Sequence, residues 1–220
     1  MIKTVLFDFD GTLVDTYKLY VESFSRTLQN FFHKRLSLKE IAKLRPRAEL
    51  EFFLNIVGEE KFPEYIELFY KYYEDLHTEF FEGVYSGCKS VIDEIKNLGI
   101  QTGIITGKSR KAYEITLSNT DLGVFPVSLT NSEVEKLKPD PTGLLTASRQ
   151  LNISPEECIY IGDSPVDFEA ALNAGMMFGG VLWSKNDLEK KFFLSKIKPS
   201  AKVILFNKPE DILNWIYSVR

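Results

Sequence analysis

The chain has 220 residues, which is enough for one α/β domain with or without a smaller insert. Hydrophobic residues make up 44% of it and phenylalanine occurs 17 times, so a substantial core is expected and intrinsic disorder is disfavoured. The net charge is −4, with acids and bases mixed along the chain, which argues against a nucleic-acid or anionic-membrane partner.

The cysteines and the N-terminal segment indicate the compartment. Cys88 and Cys158 lie far apart, without a CxxC pair or a nearby histidine, so neither a disulfide framework nor a zinc site is expected. The apolar run at the start is interrupted by acids too early for a signal peptide, and no later stretch is long enough to span a bilayer. We therefore expect a cytoplasmic protein, with a monomer as the default state.

The first third of the chain predicts one buried strand followed by helices. Residues 4–9 are apolar and rich in strand formers, and the run ends at acids and a glycine. Helical spacing of apolar residues then dominates residues 15–82. The predicted helices begin at Tyr17, run from the N-cap Ser37 towards Leu44 before Pro46, and cover residues 49–57 and 63–81.

Strands and helices alternate in the rest of the chain. Such alternation is typical of a parallel sheet covered by helices on both faces. The simplest architecture is an α/β core, residues 1–14 and 83–220, interrupted by a helical cap domain, residues 15–82. The predicted core elements are helix 88–98, strand 101–106, a helix from Ser109, strand 127–130, helix 142–151, strand 158–161, helix 165–174, strands 178–182 and 202–206, and helix 209–219.

Polar segments lie at or just beyond the carboxyl ends of predicted strands. In open parallel sheets the ligand crevice lies there, so these segments are expected to converge. Clustered carboxylates require a cation, and oxygen-only ligands favour Mg²⁺, which also binds substrate phosphate. The segments are Asp8-Phe9-Asp10-Gly11-Thr12, Thr106-Gly107-Lys108-Ser109, Lys138-Pro139-Asp140-Pro141 and Gly162-Asp163-Ser164-Pro165-Val166-Asp167.

This set of side chains suits phosphoryl transfer. A metal ion and a lysine offset the phosphate charge, so a carboxylate held in line can attack phosphorus and form an aspartyl phosphate. A second carboxyl group can protonate the leaving alkoxide and later accept a proton from water. Asp8 and Asp10 are two residues apart, and in a strand such residues face the same side while Phe9 is buried.

With these motifs in this order, the chain resembles the haloacid dehalogenase-like (HAD) hydrolase superfamily over essentially its whole length. Within it, the chain is most similar to phosphoglycolate phosphatase-like members with a helical cap. The resemblance implies a Rossmann-like core with a mobile cap that closes to exclude water. It also implies that Asp8 is the nucleophile and a Mg²⁺ ligand, that Asp10 is the general acid/base and a ligand through its backbone carbonyl, and that Asp163 completes the protein ligands.

The resemblance implies supporting roles for further residues. Thr106 would hydrogen-bond the phosphoryl group, and Lys138 would neutralise charge on the nucleophile and the phosphate. Asp167 would orient metal-bound water or Lys138. Gly107 leaves room for the backbone to approach phosphate near a helix N-terminus, where Lys108 would add positive potential.

The cap loop and the fourth motif have competing interpretations. Arg45 and Arg47 lie in a loop expected over the active site, where an arginine could bind a second anionic group of the substrate. They could equally form a charged surface turn. Asp163 could simply cap the following helix, and Asp167 could complement its dipole.

Asp10 favours phosphate esters or anhydrides as substrates, because dehalogenases have no alkoxide to protonate and phosphonate-cleaving relatives replace this acid. We therefore predict a Mg²⁺-dependent phosphatase that acts on a small phosphorylated metabolite similar to phosphoglycolate. A sugar phosphomutase and a pyrophosphatase are alternatives within the superfamily. A phosphoacceptor signalling domain is an alternative of another class, but such a domain needs neither a lid nor Asp10.

Overall fold

The computed structural model describes residues 1–37, 40–41 and 48–219. The predictions for Leu44, Arg45, Pro46 and Arg47 lie outside these residues. Strands and helices alternate along most of the chain. They are β1 (Thr4–Phe7), β2 (Val14–Asp15), α1 (Tyr17–Phe32), α2 (Glu49–Val57), α3 (Phe62–Asp75), α4 (His77–Phe80), β3 (Gly83–Val84), α5 (Cys88–Asn97), β4 (Gln101–Ile105), α6 (Arg110–Ser118), β5 (Val127–Leu129), α7 (Thr142–Gln150), β6 (Cys158–Gly162), α8 (Pro165–Asn173), β7 (Met177–Val181), α9 (Asp187–Lys196), β8 (Val203–Phe206) and α10 (Glu210–Ser218).

Six strands form a parallel sheet in the order β5-β4-β1-β6-β7-β8. Successive side chains of the central strand β1 point to opposite faces of the sheet, and both faces are buried. Val5 and Phe7 belong to the core shared with α5 and α10, whereas Leu6 belongs to the core shared with α7, α8 and α9. The predicted α/β fold, a Rossmann-like core, is confirmed.

The helices between β2 and β3 form a hydrophobic cluster of their own, rich in aromatic rings. Phe24 of α1 stacks on Phe53 of α2 with ring centroids 5.2 Å apart, and it lies 4.9 Å from Phe69 of α3. Ala112 of α6 also belongs to this cluster, so the helical insert packs against a helix of the core. The division of the chain into two domains at residues 14–15 and 82–83 stays a prediction.

The structure corrects several predicted elements. Strand β1 ends at Phe7, not at residue 9, so Asp8 and Asp10 lie in the loop after it. The region 15–82 does not begin as a helix: Asp15 pairs with Gly83 in the antiparallel ribbon of β2 and β3. The helical pattern of residues 63–81 is divided into α3 and α4 at Leu76.

Helix α9 was not predicted from the sequence. Phe193 is its one fully buried residue, so the apolar periodicity that reveals a helix is weak there. A signal was nevertheless present, because Asn186 and Glu189 form a capping box at its N-terminus. No helix in the described ranges is both long and apolar enough to cross a membrane.

Candidate active site

The carboxyl ends of β1, β4 and β6 meet at one edge of the sheet and open into a cavity of about 1300 Å³. The parallel order places the predicted motifs side by side, because β1 lies between β4 and β6. The cavity is lined by most of the predicted site residues, namely Asp8, Asp10, Thr106, Gly107, Lys108, Lys138, Asp163 and Asp167. Arg45 and Arg47 lie outside the described residues.

Lys138 joins the loop after β1 to strand β6 and helix α8. Its Nζ donates to Asp8 Oδ1 at 2.8 Å, to Asp167 Oδ1 at 2.6 Å and to the Tyr160 hydroxyl at 2.8 Å. Burial alone would lower the pKa of Lys138, but Asp167 and Asp8 outweigh it and raise the pKa above its usual value. Lys138 therefore remains a cation beside the Asp8 carboxyl group.

The acids of the site differ in their proton affinity. Burial raises the pKa of Asp8 and that of Asp163, despite the opposing lysines Lys138 and Lys185. Burial acts on Asp167 as well, but the Lys138 ammonium outweighs it and lowers the pKa of Asp167. Asp8 and Asp163 are therefore the carboxylates that a further cation would stabilise most.

The donor set fits a hard divalent cation. One carboxylate oxygen each from Asp8, Asp163 and Asp167 lies within 4.8 Å of the others. Within the described residues, no hydrogen bond reaches Asp8 Oδ2 or Asp163 Oδ1, so both atoms are free to bind a metal. Both oxygens of Asp167 already accept hydrogen bonds, from Lys138, Tyr160 and Ser164. This set of oxygen donors suits Mg²⁺, and Asp167 is suited to holding Lys138 rather than to binding the metal.

Helix α8 shows how Asp163 stays available. The N-cap of this helix is Ser164, not Asp163, and Ser164 forms a capping box with Asp167. Asp167 thus stabilises the helix start and also holds Lys138, so the two interpretations of this residue are compatible. Asp163 instead accepts from Lys185 Nζ at 2.7 Å through Oδ2.

Gly11 of the first motif allows Asp163 to approach. Its φ is +76°, a region that favours glycine, and a Cβ added there would lie 2.9 Å from Asp163 Oδ2. A side chain at this position would therefore push Asp163 away from Asp8. The glycine of Asp8-Phe9-Asp10-Gly11-Thr12 brings the first and fourth motifs together.

Thr106 lies at the end of β4, where its backbone N–H donates to Leu129 O at 2.9 Å. Its Oγ1 accepts from the Lys108 backbone N–H at 3.2 Å, which forms a tight turn before α6. Thr106 and Gly107 both line the cavity, as a contact with phosphate requires.

Asp10 is held by two donors on one oxygen. Thr16 Oγ1 donates to Asp10 Oδ1 at 2.6 Å, and Lys108 Nζ donates to the same atom at 2.9 Å. The Lys108 side chain, expected to add positive potential near the substrate phosphate, is 0% exposed. It extends towards the helical insert, where it also donates to the Tyr73 hydroxyl at 2.8 Å.

Several site residues were missed by sequence reasoning. Lys185 follows the end of β7 as the other motifs follow their strands, so its position was a usable signal. Glu49 gave none: its carboxylate accepts from the backbone N–H of Ser109 at 2.9 Å and from its hydroxyl at 2.6 Å, across 60 residues of chain. Tyr20 and Tyr73 lie within the predicted helices of the insert and were not predicted as site residues, but their rings lie around Lys108.

Comparison with known proteins assigns the family. A model described as haloacid dehalogenase-like hydrolase matches residues 5–181. The chain belongs to the haloacid dehalogenase-like hydrolase family. The resemblance seen in the sequence is thus confirmed, and the chain is an enzyme of this family, of the phosphatase type.

Individual relatives of this HAD-like hydrolase carry different names. Pyrophosphatase PpaX from Bacillus cereus (strain B4264) is 32% identical over 213 residues, which cover 96% of this chain and 95% of the relative. A candidate phosphoglycolate phosphatase from Lactobacillus plantarum has a TM-score of 0.78 at 24% identity and covers 97% of this chain and 99% of its own. A candidate β-phosphoglucomutase from Thermotoga maritima has a TM-score of 0.76 at 26% identity, with 100% of both chains covered.

Proposed function

We propose that this HAD-like enzyme is a Mg²⁺-dependent phosphatase that carries the phosphoryl group on Asp8. The position of Asp8 carries the proposal: Asp8 lines the cavity, Lys138 holds its Oδ1, and one of its carboxylate oxygens lies within 4.8 Å of an oxygen of Asp163. A carboxylate oxygen in this position can act as the nucleophile, with Lys138 offsetting the charge of the incoming phosphate.

Bound Mg²⁺ would be held by Asp8, Asp163 and the Asp10 carbonyl, and it would offset negative charge on the phosphate. The chain's residues account for the remaining chemistry. Asp8 forms a bond to phosphorus through one carboxylate oxygen while the bond from phosphorus to the leaving oxygen breaks, and Asp10 donates a proton to that oxygen. Water then attacks phosphorus, Asp10 takes the proton, and the bond to Asp8 breaks to release phosphate.

A small phosphate monoester similar to phosphoglycolate is the proposed substrate. The cavity is shared between the core and the insert, and it includes Tyr17, Tyr20 and Glu49 beside the catalytic loop. The predicted contact of Arg45 or Arg47 with a second anionic group would suit such a substrate. Pyrophosphate is the second candidate, because the relative that is 32% identical over 96% of this chain is named a pyrophosphatase.

A substrate panel separates these activities. Free phosphate is measured after incubation with Mg²⁺ and phosphoglycolate, pyrophosphate or a sugar phosphate. Preference for phosphoglycolate would support the first candidate, and preference for pyrophosphate the second. A mutase would convert the sugar phosphate into an isomer with little free phosphate. A phosphoacceptor domain would label Asp8 once, without sustained turnover of any substrate.

The Asp8→Asn variant tests the nucleophile. We expect turnover to fall to the detection limit with the fold intact, because an amide oxygen is a poor nucleophile and cannot be regenerated as the carboxylate. Full turnover by Asp8→Asn, at unchanged thermal stability, would remove Asp8 from the mechanism.

The Asp10→Asn variant tests the general acid/base. It is expected to lower kcat by about 10²-fold or more, because both proton transfers lose their donor and acceptor.

A further inference from the structure

Lys108 has surroundings that an ordinary surface lysine lacks. Its ammonium group is fully enclosed, with Asp10 Oδ1 at 2.9 Å and the Tyr73 hydroxyl at 2.8 Å. It also lies over two aromatic rings of the insert, 4.0 Å from the centroid of Tyr20 and 4.7 Å from that of Tyr73. The carboxylate, the hydroxyl and the ring faces all stabilise a cation.

We propose that Lys108 is a positioning residue that orients Asp10 for proton transfer and that does so through contacts supplied by the helical insert. This inference rests on the proposed function, in which Asp10 is the general acid/base. It differs from the role expected from the sequence, in which Lys108 adds positive potential beside the substrate phosphate.

Two hydrogen bonds orient the Asp10 carboxyl group. Thr16 Oγ1 and Lys108 Nζ both donate to Oδ1, at 2.6 Å and 2.9 Å. Among the described residues no other donor reaches this carboxyl group, so Oδ2 is left to exchange a proton with the substrate oxygen. Two donors on one oxygen also fix the rotation of the carboxyl group, which sets the direction of Oδ2.

The groups that contact Lys108 come from both the core and the helical insert. Lys108 belongs to the loop after β4 of the core, whereas Tyr20 lies in α1 and Tyr73 in α3 of the insert. The Tyr73 hydroxyl continues to Thr116 of α6 at 2.8 Å, so the enclosure is fixed to the core as well. Asp10 is thus oriented by a lysine whose own position depends on how the insert packs on the core.

The state of charge is consistent with this role. Burial lowers the pKa of Lys108, but Asp10, Tyr73 and Glu49 outweigh it and raise the pKa above its usual value. A buried ammonium without such partners would be costly, so the surrounding groups account for its presence. Since the side chain is fully enclosed, Lys108 reaches a substrate in this arrangement only through Asp10.

A double-mutant cycle tests whether Lys108 acts through Asp10. We expect Lys108→Met to lower kcat/KM for an alkyl phosphate on the order of 10²-fold, since general acid catalysis contributes at least this much. In the Asp10→Asn background the same substitution is expected to change kcat/KM by less than about threefold, because the group it orients is already gone. Independent losses that multiply would overturn the proposal.

The leaving group provides a second readout. Hydrolysis of p-nitrophenyl phosphate needs little protonation of the leaving oxygen, so Lys108→Met is expected to lower its kcat/KM far less than that of an alkyl phosphate. An equal loss on both substrates would indicate a structural defect and would overturn the positioning role. Parent-like kcat/KM of Lys108→Met on the alkyl phosphate would overturn it too.

Lys111→Met is the matched control. Lys111 lies on α6, three residues after Lys108, donates to Glu67 of the insert at 2.6 Å and lies 4.7 Å from the ring of Tyr70, but it does not touch Asp10. We expect it to keep the parent kcat/KM within about twofold, because exposed pairs contribute little. A loss equal to that of Lys108→Met would show that packing of the insert alone matters, and it would overturn the role through Asp10.

A further variant covers the case in which Lys108→Met does not fold. Tyr73→Phe keeps the ring and removes one hydrogen bond to Lys108, so the same dependence on Asp10 and on the leaving group is expected with a smaller loss. If the parent chain releases no phosphate from any substrate, the proposed function fails. If the parent turns over but these variants behave like it, only the role of Lys108 fails.

Discussion

At the scale of single residues, a separate lysine pairs with the side chain of each aspartate that the resemblance links to the metal. Lys138 pairs with Asp8, Lys108 with Asp10 and Lys185 with Asp163. Acids this close together repel each other, and burial would favour their protonation. The lysines reduce that repulsion. Each of them binds one oxygen of its aspartate and leaves the other oxygen available.

His77 gives a testable pH dependence of stability. Burial and the nearby Lys108 ammonium lower the pKa of His77 to about 4, from an ordinary value of 6.5. The unfolded chain therefore binds more protons between these values, so stability is retained above pH 6.5 and lost as the pH falls towards 4. We expect His77 to account for a loss of about 1–2 kcal/mol in the free energy of unfolding between pH 7 and pH 5.

Denaturant unfolding of His77→Gln at both pH values checks this expectation. The variant should lose less stability on acidification than the parent, because glutamine does not titrate. His33→Gln is the matched control, since His33 is exposed at the end of α1. An unchanged pH dependence in His77→Gln would show that this ring does not titrate as expected.

At the scale of elements, the junction of β6 and α8 connects helix capping to the site. Gly162 ends β6, and a Cβ added there would lie 2.5 Å from Asp167 Cβ and 2.6 Å from its Cγ. The Asp167 side chain cannot easily move aside, because Lys138, Tyr160 and Ser164 all bond to it. Because Gly162 has no side chain, it leaves room for Asp167 to cap α8 and to bind Lys138 directly beside the end of β6.

Gly162→Ala is expected to destabilise the protein by about 1–3 kcal/mol, the range for overpacking a filled core. It should also lower kcat, because a displaced Asp167 no longer holds Lys138. Chemical denaturation and phosphate release measure the two effects. The control is Gly143→Ala in α7, whose added Cβ would be 3.2 Å from a methyl group of Ile105, so its change in stability should stay within about 1 kcal/mol.

The success of element prediction followed the strength of local signals. Strand β6 is a short apolar run, β4 ends in two isoleucines before Thr106-Gly107, and helix α5 has a clear apolar face, so all three were located within a few residues. Helix α9 buries little, and the ribbon of β2 and β3 has only two residues per strand, so neither has a period to detect. That ribbon forms where the chain enters and leaves the insert, which no local pattern encodes.

At the scale of the whole molecule, the site joins segments from almost the full length of the chain. A metal ion bound there would stabilise the folded state alone, because the unfolded chain does not bring Asp8 and Asp163 together. Mg²⁺ is therefore expected to raise the thermal unfolding temperature, and at 100 times its dissociation constant it would add about 2.7 kcal/mol of stability.

The stabilisation by Mg²⁺ is checked by measuring the thermal unfolding temperature over a Mg²⁺ titration. The parent is compared with variants of Asp163 and of its ion-pair partner Lys185. Asp163→Asn should remove most of the shift, because it removes a ligand. Lys185→Met should strengthen Mg²⁺ binding roughly tenfold, since the ammonium 2.7 Å from Asp163 Oδ2 no longer opposes a second cation there. No shift in the parent, or an unchanged shift in Asp163→Asn, would contradict the metal assignment.

The sequence by itself determined the fold class and, through the order of its motifs, the family. Both follow from local patterns, namely the alternation of strands and helices, the apolar runs that end near Asp8 and Asp163, and a lysine before Pro139. Parallel strands place their carboxyl ends at one edge, so convergence of the motifs could be inferred without coordinates.

Only the tertiary structure decided how the side chains pair. Lys108 reaches Asp10 across 98 residues and Glu49 reaches Ser109 across 60, and both contacts depend on where the helical insert packs. A lysine or a glutamate shows no local pattern that distinguishes a buried partner from solvent. Its surroundings are fixed only when distant elements pack together and exclude water, which is why the role of Lys108 became visible in the fold.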